Sequence, residues 1–376
     1  MANQTHVVTA RWNAEVARHR LQFDGAQQAA ALRLDALREN LLTPSPTLLA
    51  RLRSRVQWLS DESVAAAHRG LYLWGGVGRG KTLLVDLFFA SLQDAPGSPL
   101  TAQRSHFHHF MRDVHAELRR IKRQAEPLEL VAQQLAARAR VICLDEFFVS
   151  DIGDAMILAG LFDGLFRRGV TLVATSNLPP QDLYKDGLQR QRFLPAIDLI
   201  GRHVDVIHLD GGIDYRLRQL EQAPTYMDSR LPASAAALQE RFAALTGTAA
   251  AGPATLEIEG RPLHAVNVGH GTVWFEFGEL CEGPRSQNDY IELARLYHTI
   301  FIANIPPFDT FNENAARRFI MLIDELYDRG VKIVVSAAAP PAELYRGERL
   351  RSEFERAASR LVEMQTQHYL AGQHRP

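Results

Sequence analysis

Cysteine is nearly absent from this sequence: Cys143 and Cys281 are the only two among 376 residues. Two cannot build a disulfide framework, so the sequence reads as that of a protein from a reducing compartment. An excess of charge of one sign is also missing. Forty-two basic and 43 acidic residues give a net charge of −1, which excludes a globally basic nucleic-acid binder while leaving room for a local basic patch. No apolar run approaches the ~18 residues that cross a bilayer. The opening stretch MANQTHVVTARWNAEV has no apolar signal core. These absences give the expectation of a cytoplasmic protein. Hydrophobic residues make up 46% and charged residues 23% of the chain, the proportions of a globular protein with ordered cores.

What is present is an alternation of strand-like and helix-like segments. Residues 22–41 read as an amphipathic helix with Asp24 as its N-cap and Ala30, Leu34 and Leu37 on one face. LLTPSPT breaks it, and a second helical stretch runs around Leu48–Leu59. GLYLW, QRSHF, ARVICLDEF and VTLVATSN read as strands, separated by helical patterns that include HFMRDVHAELRRIKRQ and residues 152–168. That order predicts an α/β fold in which a parallel sheet is covered by helices. Beyond LDGGIDYRLR the texture changes. A helix over 232–246 and the linker GTAAAGPA lead to TLEIEG, HAVNV and VWFEF, which read as a small antiparallel meander inserted before a C-terminal α/β extension. The divisions that follow are 1–69 (helical), 70–210 (core), 211–290 (linker and β insertion) and 291–376.

The last segment echoes the core. LFRRGVTLVATSNLPPQDLY (165–184) aligns without a gap on LYDRGVKIVVSAAAPPAELY (326–345), and TIFIANIPPF falls where RVICLDEFF fell. The second copy lacks the acidic pair, has Asn304 near the Asp145 position, and carries Ala337 and Ala338 in place of Ser176 and Asn177. It reads as a degenerate repeat of half the core, most simply as extra strands on the same sheet.

Three segments carry chemistry. Gly75-x4-Gly80-Lys81-Thr82 has the full phosphate-loop pattern, with a strand before it and an apolar helix after it. Glycines let backbone N–H groups curl around phosphates, and the helix N-terminus adds its dipole. The cradle is Gly75, Gly76, Val77, Gly78, Arg79 and Gly80. Lys81 reaches the β- and γ-phosphates, and the Thr82 hydroxyl ligates Mg²⁺. VICLDEF delivers Asp145 to the sheet edge to hold the Mg²⁺ shell, and Glu146 to polarise the attacking water. VTLVATSN places Asn177 first and Ser176 second beside the γ-phosphate, although Ser176 also suits a plain cap of the next turn. His106, His108, His109 and His115 lack the pattern of a zinc site; they suit packing or contact with the nucleotide-bearing loops. Phe107 and Phe110 read as core, and RRIKR (119–123) as a solvated helix face.

These segments, in this order, resemble the AAA+ ATPases. The wider chain resembles the ZapE family of bacterial cell-division ATPases and its mitochondrial relatives, on LYLWGGVGRGKT, HFHHFMRDVH, ICLDEFFVSDIGDAMIL, TSNLPPQDLY, GLQRQRFLPAIDLI, LDGGIDYR and SEFERAASRLVEMQT. Ala357 and Ala358 depart from it where a hydroxyl residue is expected before Ser359-Arg360. The resemblance implies ATP and Mg²⁺ as cofactors and hydrolysis shared between subunits of a homo-oligomer. A trans-acting arginine would be Arg190 or Arg192, on the helix after Asn177, or Arg202; Arg216 or Arg360 would act in cis. It further implies a protein partner, FtsZ or another polymer, and recruitment to the division site; the near-zero net charge and the lack of a recognisable DNA-binding module argue against nucleic acid. The alternatives are a DNA-associated ATPase similar to helicase loaders and a small-molecule phosphate-loop kinase, which the acidic pair and the arginine-rich segment disfavour.

Overall fold

The computed structural model describes residues 6–17, 23–43, 69–76, 78–95, 100–121, 125–149, 151–210, 220, 224–246, 252–269, 271–372 and 374–375. The helix expected around Leu48–Leu59, and most of LDGGIDYR, lie outside the described residues. The chain divides into two compact units, Met1–Ile213 and Asp214–Pro376.

The first unit opens with α1 (Val7–Ala17) and α2 (Gly25–Leu42). Asp24 caps α2 by accepting from the Ala26 and Gln27 N–H groups. Then come β1 (Gly70–Trp74), α3 (Lys81–Gln93), β2 (Ala102–His106), α4 (Phe107–Arg120), α5 (Pro127–Arg138), β3 (Val141–Asp145), α6 (Ile152–Arg167), β4 (Thr171–Ser176), α7 (Leu194–His203) and β5 (Val204–His208). The five strands make one parallel sheet in the order β2-β3-β4-β1-β5. Its inner strands are apolar on both faces because helices cover both. Leu71, Leu73, Val141, Cys143 and Val173 face the cluster that holds the residues of α1, α2 and α3. The alternate residues Tyr72, Ile142, Leu144, Leu172 and Ala174 join the cluster of α4, α5, α6 and α7. From β1 the chain steps across two strands to β2, and from β4 it returns past β1 to β5. The crevice beyond the carboxyl ends of these strands is where such sheets bind ligands.

The second unit has its own sheet, ordered β6 (Tyr226–Asp228), β12 (Lys332–Ala337), β11 (Thr299–Ile305), β10 (Thr272–Glu276), β9 (Asn267–Gly269). Between these strands lie α8 (Ala233–Thr246), the β7–β8 hairpin (Ala254–Ile258, Arg261–Ala265), α9 (Phe277–Cys281), α10 (Gln287–Leu296) and α11 (Glu313–Asp328). After β12 come α12 (Arg351–Glu363) and α13 (Gln367–Ala371).

Two expectations are corrected. The repeated strands do not extend the first sheet. β10, β11 and β12 are apolar on both faces, packing into one cluster through Phe275, Ile300, Ile302 and Val335 and into another through Trp274, Phe301 and Val334, and so they support an independent core. The meander is also broken up. TLEI and RPLHA pair as the β7–β8 hairpin, while the buried VWF segment keeps its antiparallel neighbour in β9 but joins the second sheet, parallel to β11 on its other side.

The echo covers four strands rather than half the core. Thr299 pairs with Lys332 as Val141 pairs with Thr171, β10 takes the place of β2 beside β11, and β6 takes the place of β1 beside β12. In this register Ala303 stands at the Asp145 position and Asn304 at the Glu146 position. Both Glu146 and Asn304 have a left-handed backbone, φ 54° and 60°. Both donate their N–H to a hydroxyl, of Thr175 at 3.1 Å and of Ser336 at 3.0 Å. Between β6 and α8 no phosphate loop exists. Asp228 and Arg230 instead pair across a short turn, with Arg230 pulling the Asp228 carboxyl down to about 2.

Candidate active site

The carboxyl ends of β1, β3 and β4 bring the three sequence segments together. After Trp74 the chain turns through Gly75 at φ 152°, where a Cβ would lie 2.5 Å from the Leu209 carbonyl oxygen. Only glycine fits there. Gly76, Gly78 and Arg79 follow, with the Arg79 side chain lying over Gly76; Val77 lies outside the described residues. Gly80, at φ 76°, is the N-cap of α3 and brings no capping side chain to that helix. Uncapped N–H groups on a glycine-rich helix start form a cradle suited to phosphate.

Lys81 opens α3 with only 8% of its surface exposed. Its Nζ donates to the Gly75 and Gly76 carbonyl oxygens, both at 2.7 Å, and to Asn177 Oδ1 at 3.0 Å. The phosphate loop and the end of β4 are thus joined by one ammonium group. Asn177 is exposed just past β4. The turn behind it is anchored by the Tyr72 hydroxyl, which donates to the Leu178 carbonyl at 2.9 Å. Ser176 does the structural work of the two readings offered for it. Its hydroxyl donates to the Phe147 carbonyl at 2.7 Å and accepts from the Leu178 N–H at 3.1 Å.

Asp145 is buried at the end of β3. Its Oδ2 accepts from Arg104 Nε at 2.7 Å, and its Oδ1 from the Thr175 hydroxyl at 3.3 Å. Arg104 also pairs with Asp86 on α3. Glu146 is half-buried, held in its left-handed conformation by the bond to Thr175.

Three contributors were not read from the sequence. Thr175 sits between the two acids, Arg104 reaches Asp145 from β2, and Gln27 of α2 supports the loop from behind. Gln27 Nε2 donates to the Arg79 carbonyl at 3.2 Å, and its Oε1 accepts from Trp12 Nε1 at 3.0 Å. A Cβ at Gly80 would stand 2.8 Å from the Gln27 amide nitrogen, which adds a close approach to the left-handed φ. The alternation of QRSH, which puts Arg104 on the same face as Asp145 once β2 and β3 pair, was the available signal for Arg104.

The arginines separate. Arg190 and Arg192 lie in a 3₁₀ turn, not on a helix, because Pro195 sets the start of α7 just beyond them. Arg190 donates to the Leu183 and Gln181 carbonyls at 3.1 and 2.5 Å, so its guanidinium secures its own turn. Arg192 is exposed and touches Met156 Sδ at 4.0 Å. Arg202 is exposed on α7. Arg216 lies outside the described residues. Arg360 belongs to the second unit, where it pairs with Asp324 at 2.5 Å and Asp328 at 3.3 Å and stacks over Tyr327.

The histidines do not form a metal centre, and no group of three or more His, Cys, Asp or Glu fit to hold a metal occurs among the described residues. His106 ends β2 in register with Asp145, and α4 begins at Phe107, so His106 and His108 do not share a strand. His115 bonds to Asp154 of α6 at 2.7 Å. Burial, then His106, Arg112 and His108, push His109 down from 6.5 to about 4. The unfolded chain therefore takes up a proton between pH 6.5 and 4 that the native His109 refuses, and stability falls as pH drops through that window. His109→Gln is expected to flatten this acid-side loss, measured as melting temperature against pH; an unchanged slope would exclude His109 as its source.

Strand order 2-3-4-1-5, a glycine loop that opens a helix with Lys-Thr, and paired acids on the neighbouring strand but one define a phosphate-loop ATPase of the AAA+ type. The chain belongs to the AFG1-like ATPase family, whose model matches residues 6–373. It is 48% identical over 358 residues to Escherichia coli K12 "cell division protein ZapE", covering 94% of each chain. It is 35% identical over 347 residues to the Danio rerio protein "lactation elevated protein 1 homolog B", covering 80% of this chain and 68% of that one. Among solved structures, DnaI matches 47% of this chain and 93% of its own with 18% identity and a TM-score of 0.31. Domain III of Thermotoga maritima DnaA matches 49% of this chain and 72% of its own with 16% identity and a TM-score of 0.31. Likeness at that level says nothing of what the chain acts on. No described helix is long and apolar enough to cross a membrane.

Proposed function

We propose that the chain couples Mg²⁺-dependent ATP hydrolysis at this site to the remodelling of a protein partner during cell division. The observation that carries the site is the triple contact of Lys81, which ties the loop carbonyls to Asn177. Backbone N–H groups of Gly75–Gly80 and the start of α3 would hold the phosphates, with Lys81 on the β- and γ-phosphates. Hard oxygen donors, Thr82 and Asp145, fit Mg²⁺. Bound there, Mg²⁺ would neutralise charge developing on the phosphates. Glu146 would draw the proton of the attacking water and Asn177 would orient that water.

In a homo-oligomer the arginines open to a neighbouring subunit are Arg192 and Arg202, both exposed, since Arg190 is committed to carbonyls of its own turn, and Arg192, nearer Asn177 along the chain, is the first to test. The partner reading rests on the ZapE relative, with FtsZ polymers as the substrate. Co-sedimentation and light scattering of FtsZ polymers test it. ATP plus the wild-type chain should shrink the pelleted fraction, and the Lys81→Ala chain should not. Polymers unaffected by the wild-type chain would discard FtsZ and leave the ATPase standing. In a phosphate-release assay, Arg192→Ala mixed with Lys81→Ala should recover part of the hydrolysis that each lacks alone; no recovery would remove Arg192 from a neighbour's site.

A further inference from the structure

Arg104 joins the phosphate-loop helix α3 to β3, the strand that carries Asp145. β2 and β3 pair Arg104 with Cys143 and His106 with Asp145. Paired residues of parallel strands share a face, and side chains two apart along a strand share it too. Arg104, Cys143 and Asp145 therefore all face α3. On α3, Asp86 lies one helical turn beyond Thr82, on the same side of the helix. Asp86 and Asp145 thus meet on one guanidinium, on the side of α3 that also carries Thr82, and hard oxygens of this kind are the composition that takes a divalent cation. The Arg104 guanidinium is already there. Its Nε holds Asp145 Oδ2 at 2.7 Å while another of its nitrogens pairs with Asp86. The three side chains are 19%, 5% and 23% exposed, so solvent screens the cluster only in part.

We propose that Arg104 is the resident cation of this oxygen cluster: it keeps Asp145 and Asp86 from capturing a bare divalent ion, so that metal binds only together with nucleotide phosphates. This rests on the reading of Thr82 and Asp145 as the Mg²⁺ side of the site. The charge count decides the direction. With Arg104 the two carboxylates carry a net −1; without it they carry −2, and phosphates are no longer needed to hold the ion. A freed Asp145 also gains one rotatable bond of disorder, but that cost is small beside a full unit charge removed within a few ångströms in a partly buried site. Arg104 acts through Asp145 and is a positioning residue, not a catalytic one.

Two opposed shifts test this in the full-length chain. Free Mn²⁺ is followed by electron paramagnetic resonance without nucleotide, and the Mg²⁺ midpoint for binding a fluorescent ATP analogue is followed by titration. Arg104→Met should bind Mn²⁺ alone roughly tenfold or more tightly than wild type and should lower the Mg²⁺ midpoint. Arg104→Lys, which keeps the charge, should behave as wild type in the Mn²⁺ measurement. Asp86→Asn leaves the whole guanidinium charge on Asp145 and should raise the Mg²⁺ midpoint. A merely structural role would move Arg104→Met and Asp86→Asn in the same direction, and that result, or an Arg104→Met chain that matches wild type in both measurements, overturns the proposal. Should Arg104→Met fail to fold, Asp86→Asn decides: a raised midpoint supports the proposal and an unchanged one overturns it. Asp145→Asn separates the underlying reading. If it leaves the midpoint unmoved, Asp145 is not the metal acid and both fail; if it raises the midpoint while Arg104→Met does nothing, only the proposal falls.

Discussion

Lys81→Ala should bring ATP hydrolysis to background and weaken ATP binding by about a hundredfold or more, the scale expected when a buried charge-assisted contact to phosphate is lost. The ammonium is buried and held by three oxygens, two of them loop carbonyls. In the complex, phosphate oxygens would take over from those carbonyls. The loop shape does not depend on the ammonium alone, because Gly75 and Gly80 adopt conformations set by the backbone and Gln27 supports the Arg79 carbonyl. The variant should therefore fold, with a melting temperature lowered by a few degrees at most. Titration with a fluorescent ATP analogue measures the effect. The wild-type chain should saturate at one nucleotide, since the turn after β6 has an Asp228–Arg230 pair where the first unit has its loop. Unchanged affinity in Lys81→Ala would sink the phosphate-loop reading.

The parts legible in the sequence were those in which the backbone itself sets the demand. A glycine loop, a strand buried on both faces and an N-capping aspartate each leave a local pattern, and Gly75–Thr82, VICLD and Asp24 were read on that basis. Long side chains reaching across elements leave none. Arg104 and Gln27 meet their partners only after β2 pairs with β3 and α2 docks near the loop. The second sheet was missed for a different reason. Its first strand, Tyr226–Asp228, is three residues long, too short to show a period, so the repeat looked like a fragment that must lean on the first sheet. Asn304, read as near the Asp145 position, falls at the Glu146 position once the starts of β3 and β11 are aligned through their pairing with β4 and β12. Arg190 and Arg192 were put on a helix that Pro195 does not allow to start so early.

Glu146→Gln should bind ATP within about threefold of wild type and hydrolyse it some 10²- to 10⁴-fold more slowly, the range for loss of a general base. The substitution keeps size and hydrogen-bonding shape and removes only the basic oxygen. The backbone gives a second, independent variant. Glu146 sits at φ 54°, a conformation that costs a glutamate about 1 kcal/mol and suits asparagine better. The second unit makes this comparison within one chain. At the matching place it has Asn304, at φ 60° with the same N–H bond to a hydroxyl. With Glu146 as the proposed general base, the first unit keeps the strain for an acid, while the second carries the residue this backbone prefers. Glu146→Asn should accordingly abolish turnover like Glu146→Gln while raising the melting temperature, by up to a few degrees. Calorimetry and phosphate release on the two variants check both halves. Near-normal turnover in either removes Glu146 from the mechanism; lost turnover with a lower melting temperature in Glu146→Asn would show that the left-handed turn is not strained for glutamate after all.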